Sequence, residues 1–101
     1  MSKPKVVAII GSSKFKDQHL GAAQRETLAG NIVLQPGFYH HVDRVPLRGT
    51  QKEMLDNLSF EKVRMADEVL VVNPKGYIGE TTQRLISLAL SLSKPIRKLE
   101  D

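Results

Sequence analysis

Two unbroken apolar runs, Val6-Val7-Ala8-Ile9-Ile10 and Val69-Leu70-Val71-Val72, organise the chain. Neither alternates with polar residues, as expected of strands covered on both faces. Each ends in a loop of small residues. The first is Gly11-Ser12-Ser13-Lys14-Phe15; the second is Asn73-Pro74-Lys75-Gly76-Tyr77-Ile78-Gly79, followed by Glu80-Thr81-Thr82. Gly76 and Gly79 let a backbone approach a ligand closely, and a helix after such a loop points free N–H groups at it. Ile32-Val33-Leu34 reads as a third strand stopped by Pro36-Gly37, and residues 95–99 as a short last one.

Helical spacing fills the intervals. Residues 17–29 form a first helix with Leu20, Ala23 and Leu28 facing inward, stopped by Gly30-Asn31. A second runs from Thr50 or Gln51 to Ala66, with Met54, Leu55, Leu58 and Met65 near one face and Thr50 three residues before Glu53 as a capping box. The third, 81–93, is strongly apolar through Leu85, Ile86, Leu88, Ala89, Leu90 and Leu92, and Lys94-Pro95 ends it. Residues 38–49 show no period and read as an exposed connection.

This order predicts an α/β single-domain Rossmann-like or flavodoxin-like sandwich over residues 1–101, with a parallel sheet of about four or five strands and helices on both faces. In such sheets ligands sit beyond the carboxyl ends of the strands, and both glycine-containing loops fall at that edge. The ligand-binding candidates are therefore Gly11, Ser12, Ser13, Lys14, Phe15, Asn73, Gly76, Tyr77, Gly79, Glu80 and Thr81. Each has a structural alternative: Ser12 or Ser13 as an N-cap, Asn73 folding the turn before Pro74, Tyr77 packing over its loop, Glu80 favouring a helix dipole.

Composition narrows the partners. With 101 residues, 41% of them hydrophobic, the chain builds one core and has no room for a separate substrate domain. There is no cysteine, which excludes disulfides and thiolate metal sites. No membrane span or signal peptide is visible, so a cytoplasmic location without membrane contact is expected. The net charge of +4 is dispersed, which fits a small anionic ligand better than a nucleic acid. His40-His41-Asp43 lacks a supporting third cluster, so no metal and no cofactor are expected. His19 reads as exposed on the first helix. The 38–49 connection, with Phe38, Tyr39 and Arg44, either closes over the pocket or meets a partner subunit.

The order and spacing of the two loops resemble the nucleoside 2-deoxyribosyltransferase superfamily, especially its small phage- and bacteria-associated members. The likeness is carried by Ile10-Gly11-Ser12-Ser13-Lys14-Phe15, Thr27-Leu28-Ala29-Gly30-Asn31-Ile32-Val33, Lys52-Glu53-Met54-Leu55-Asp56 and the block from Met65 to Thr82. It implies a nucleoside or nucleotide ligand, a homo-oligomer with sites near subunit contacts, and cleavage of an N-glycosidic bond through a glutamate nucleophile. That glutamate sits one turn into the helix after the second loop, where this chain has Leu85. A second departure is Leu58-Ser59-Phe60, where relatives often carry an acidic residue or histidine. An aliphatic side chain neither attacks carbon nor transfers a proton, so the family mechanism does not transfer at position 85. Glu80 is a substitute candidate. Three readings stay open: an N-glycosidic hydrolase or transferase, a nucleotide binder without chemistry, and a nucleic-acid-associated module.

Overall fold

The computed structural model describes residues 3–37 and 39–100, with the side chains of His40 and His41 also outside the description. Four strands, β1 (Val6–Ile10), β2 (Ile32–Leu34), β3 (Glu68–Val71) and β4 (Ile96–Lys98), form one sheet in the order β2-β1-β3-β4. Every pairing is parallel, with Val7 opposite both Val33 and Glu68, and Leu70 opposite Arg97. The α/β class and the parallel sheet agree with the sequence pattern. Among the described residues no helix is long and apolar enough to cross a membrane.

Strand alternation divides the core into two layers. Val7, Ile9, Leu70 and Val72 meet α1 (Lys16–Leu28) through Ala22 and Ala23. Ala8, Ile10, Val69 and Val71 meet Val63 and Ala66, at the end of α3 (Gln51–Met65), and Leu85, Ile86 and Ala89 of α4 (Glu80–Ser91). One helix thus covers one face and two the other. A short α2 (His40–Asp43) interrupts the connection that was expected to be irregular, and Tyr39 before it is buried instead of exposed. Phe38, placed with Tyr39 in that expectation, lies outside the described residues.

Three further expectations change. The α1 residues turned inward are His19, Ala22, Ala23 and Glu26, whereas Leu20 and Leu28 face water. Thr50 makes no capping hydrogen bond; Gln51 instead accepts from the Arg48 N–H at 2.7 Å, which organises the turn before α3. Met54, Leu58 and Met65 do share a face of α3, but it is the face away from the sheet.

A ladder of charges ties α1 to the two later strands. Arg97 on β4 donates to Glu26 at 2.6 Å and reaches Glu68 at 3.1 Å, and Lys5 pairs with Glu68 at 3.1 Å. The Arg97 hydrogen bond holds the Glu26 carboxyl below its ordinary range against the opposing effect of burial. Burial pushes Glu68 up, but Arg97 and Lys5 outweigh it and the net shift is downward. Lys94 closes the other side: its ammonium donates to Arg64 O at 2.7 Å and to Ala66 O, satisfying carbonyls left open at the end of α3.

Candidate functional site

The chain leaves β1 toward β2 on one side and then crosses back to β3 on the other, so the switch point lies beyond the carboxyl ends of β1 and β3. Both loops meet there. Val72 N–H donates to Ile10 O at 2.7 Å, carrying the strand pairing to the mouth of the first loop. Gly11 has φ +149°, and a Cβ there would stand 2.6 Å from Val72 O, so only glycine lets the loops come this close.

In the first loop Ser12 O accepts from Phe15 N–H at 3.2 Å, and Ser12 Oγ accepts from Lys14 N–H at 3.3 Å. Ser13 is half-buried. Neither serine caps α1; Phe15 occupies the cap position without a side-chain bond. Phe15 and Lys14 instead reach across to the second loop. The Phe15 and Tyr77 rings meet edge to face with centroids 5.6 Å apart, and Lys14 Nζ lies 4.0 Å from the Tyr77 centroid and 5.4 Å from that of Phe15. The result is a cation over an aromatic pair, with Tyr77 45% exposed.

The second loop is a single 3-10 turn, Pro74–Gly76, in which Gly76 N–H donates to Asn73 O at 2.8 Å. The Asn73 side chain is buried, and its amide exchanges two bonds with the Glu100 backbone, at 2.7 and 3.0 Å. That amide anchors the chain after β4. Lys75 N–H donates to the Glu100 carboxylate at 2.9 Å, which holds the turn from the same side. Gly76 is exposed at the turn's outer edge, whereas Gly79 precedes α4, and a Cβ there would stand 3.4 Å from the Tyr77 hydroxyl. Glu80 points into water and pairs with Arg84 at 2.6 Å, one turn along the helix. Thr81 is half-buried and Thr82 fully so. The fold therefore brings Lys14, Phe15, Tyr77 and Gly79 together, sets Gly11 against Val72, and turns Asn73 and Glu80 to other partners.

Leu85 is 4% exposed and belongs to the core. With Ile10, Gly11, Pro36, Ser59 and Lys62 it lines a cavity of about 30 Å³ just behind the first loop, room for a water molecule and little more. Lys62 reaches Gln35 O at 2.8 Å, and burial holds its ammonium below the ordinary lysine range. A larger open groove of about 520 Å³ lies away from both loops, over Leu70, Arg97 and Leu99 beside Arg25 of α1.

Sequence reasoning missed His19. It is fully buried against the first loop, where Nε2 lies 3.2 Å from Ser12 O. A carbonyl only accepts, so Nε2 carries the proton and Nδ1 is a bare acceptor; it has no partner among the described residues. Burial lowers its pKa, opposed by the Ser12 and Gly11 carbonyls. The Tyr39 ring packs edge-on against the His19 ring with centroids 5.7 Å apart, which sets Tyr39 against α1. The spacing 19, 22, 23, 26 was the available signal, hidden because two of the four residues are ionisable. His40 and His41 are outside the described side chains, and no metal-binding cluster occurs among the described residues.

The fold is a parallel α/β sandwich with two loops meeting at its switch point. No protein-family model matches the chain, and no curated protein matches it.

Proposed function

We propose that this protein binds a nucleoside or nucleotide at the β1/β3 switch point and holds it without cleaving it. The observation that supports this most directly is the Lys14–Phe15–Tyr77 cluster, where two loops present an exposed ring and a cation at the edge that parallel sheets use for ligands. A planar base stacks on such a ring, and an ammonium beside it pairs with phosphate. Leu85 supports the absence of chemistry. It occupies the position of the nucleophile in the resemblance, and it is packed where an ionised carboxylate would have no solvent. Glu80 does not replace it, being turned outward onto Arg84. In this reading the protein is a cytoplasmic homo-oligomer that senses or sequesters a nucleotide-derived compound.

The test is equilibrium dialysis against a panel of nucleosides, deoxynucleotides and nucleotide second messengers, with Tyr77→Ala beside the wild type. Loss of one stacked base weakens binding by about 1–3 kcal/mol, roughly 5- to 150-fold. Because Tyr77 is half in water, its removal leaves the thermal melt near that of the wild type. Binding untouched by Tyr77→Ala, or no binding to any member of the panel, rejects the reading.

A further inference from the structure

The sheet ends on β4, and the outer edge of that strand is open. Pro95 O accepts from Val69 N–H and Leu99 N–H donates to Val71 O, both at 2.9 Å, so residues 95, 97 and 99 turn their backbone groups toward β3. In a parallel ladder the residues between them point the other way. The N–H and C=O of Ile96 and Lys98 therefore face outward, and they have no hydrogen-bond partner among the described residues.

The groove of about 520 Å³ runs beside this edge. Its floor is Leu70 and Leu99, at the end of the core layer that α1 covers through Ala22 and Ala23. Helix α1 packs on β1 and β2, which leaves the β4 side of that face without a roof. The rim carries the charge that matters. Arg97 and Lys5 are balanced by Glu26 and Glu68, so that ladder is neutral. Arg25 on the α1 wall and Lys98 on the β4 wall are exposed and enter no ion pair among the described residues. An occupant of the groove therefore meets two uncompensated cations. A second copy of the chain does not suit it, because β4 laid antiparallel on β4 would set Arg97 and Lys98 among their own like charges.

We propose that the β4 edge and its groove take an extended acidic segment of a partner protein, which adds a strand to the sheet. The outward N–H and C=O groups of Ile96 and Lys98 pair with the backbone of that segment. Its carboxylates meet Arg25 and Lys98, and a side chain from the alternate face of the added strand lies over Leu70 and Leu99. Few backbone groups are on offer, so affinity is modest and leans on charge. The inference rests on β4 alone and is independent of what the switch-point loops bind.

The probe is a capped peptide of about eight residues alternating glutamate and valine, labelled for fluorescence anisotropy and titrated with the intact protein. It binds saturably and weakens several-fold as salt rises from about 50 to 500 mM. The same peptide with lysine for glutamate binds about tenfold or more weakly. Methylating alternate amide nitrogens of the acidic peptide separates strand addition from charge attraction. In one phase it removes the N–H groups that face β4 and costs about tenfold; in the other it leaves binding within about twofold. Arg25→Glu combined with Lys98→Glu shifts the preference to the lysine peptide, and the thermal melt stays near that of the wild type because neither residue is paired. No saturable binding of the acidic peptide, equal binding of the lysine peptide, or the same loss in both methylation phases each overturns the proposal. Release of a second copy of the chain by the peptide would assign the edge to self-pairing and overturn it as well.

Discussion

Helices α3 and α4 lie on the same side of the sheet and both carry apolar residues at helical spacing, yet their main stripes point in opposite directions, with Leu90 the exposed leucine of α4. On α4 the stripe of Leu85, Ile86 and Ala89 enters the core. On α3 the core side is made by Val63, Phe60 and the stem of Lys62, whose ammonium escapes to Gln35 O, while Met54, Leu58 and Met65 face out. Periodicity establishes that a helix has an apolar face; it does not say whether the sheet or another molecule covers it. The inward face of α4 is apolar from Leu85 onward, with Thr82 the one buried polar residue of its first turn among the described residues.

Truncating one leucine on each helix breaks or confirms the contrast with the largest effect. Leu85→Ala opens a cavity beside an existing one and costs about 2–4 kcal/mol in a urea melt, whereas Leu58→Ala stays within about 0.5 kcal/mol of the wild type in dilute solution. Equal losses would place α3's stripe in the core. Arg97→Met tests the other face of the sheet. It strips Glu26 of its cation and leaves Glu68 with Lys5 alone, for a cost of about 1–3 kcal/mol by the same measurement, moderated by the water that already reaches Arg97.

The smallest effect is a pH dependence with two limbs. His19 has a folded pKa below its unfolded value of 6.5, so the unfolded chain takes up its proton first. Its contribution is complete above pH 6.5 and declines as pH falls through the folded value. Glu26 and Glu68, depressed from 4.5, contribute stability that is full above that pH and lost below it. Thermal melts should therefore fall gently between pH 6.5 and 4.5 and more steeply beneath. His19→Gln flattens the upper limb alone; an unchanged upper limb in that variant would show that His19 does not titrate against folding.

Strand runs, the parallel sheet and the two loops at its carboxyl edge were legible because continuous β-branched segments followed by glycine have few other uses. His19 and Glu26 were not. Their burial depends on a carbonyl in the first loop and on an arginine 71 residues further along the chain, neither of which a local pattern contains. Asn73 was legible as a turn or ligand residue, but its partner, the Glu100 backbone, is set by how the chain leaves β4. Leu85 was read as a departure from a motif, and the fold places it in the core beside Ile86 and Ala89.

The most direct test of the central claim is a time course of purified protein with the nucleoside and nucleotide panel, followed by filtration, denaturation and chromatography of both fractions. Binding without chemistry predicts one intact compound recovered from the bound fraction and no free base at any time. Free base accumulating with protein concentration and time would contradict it, and would mean that a group other than residue 85 attacks the sugar.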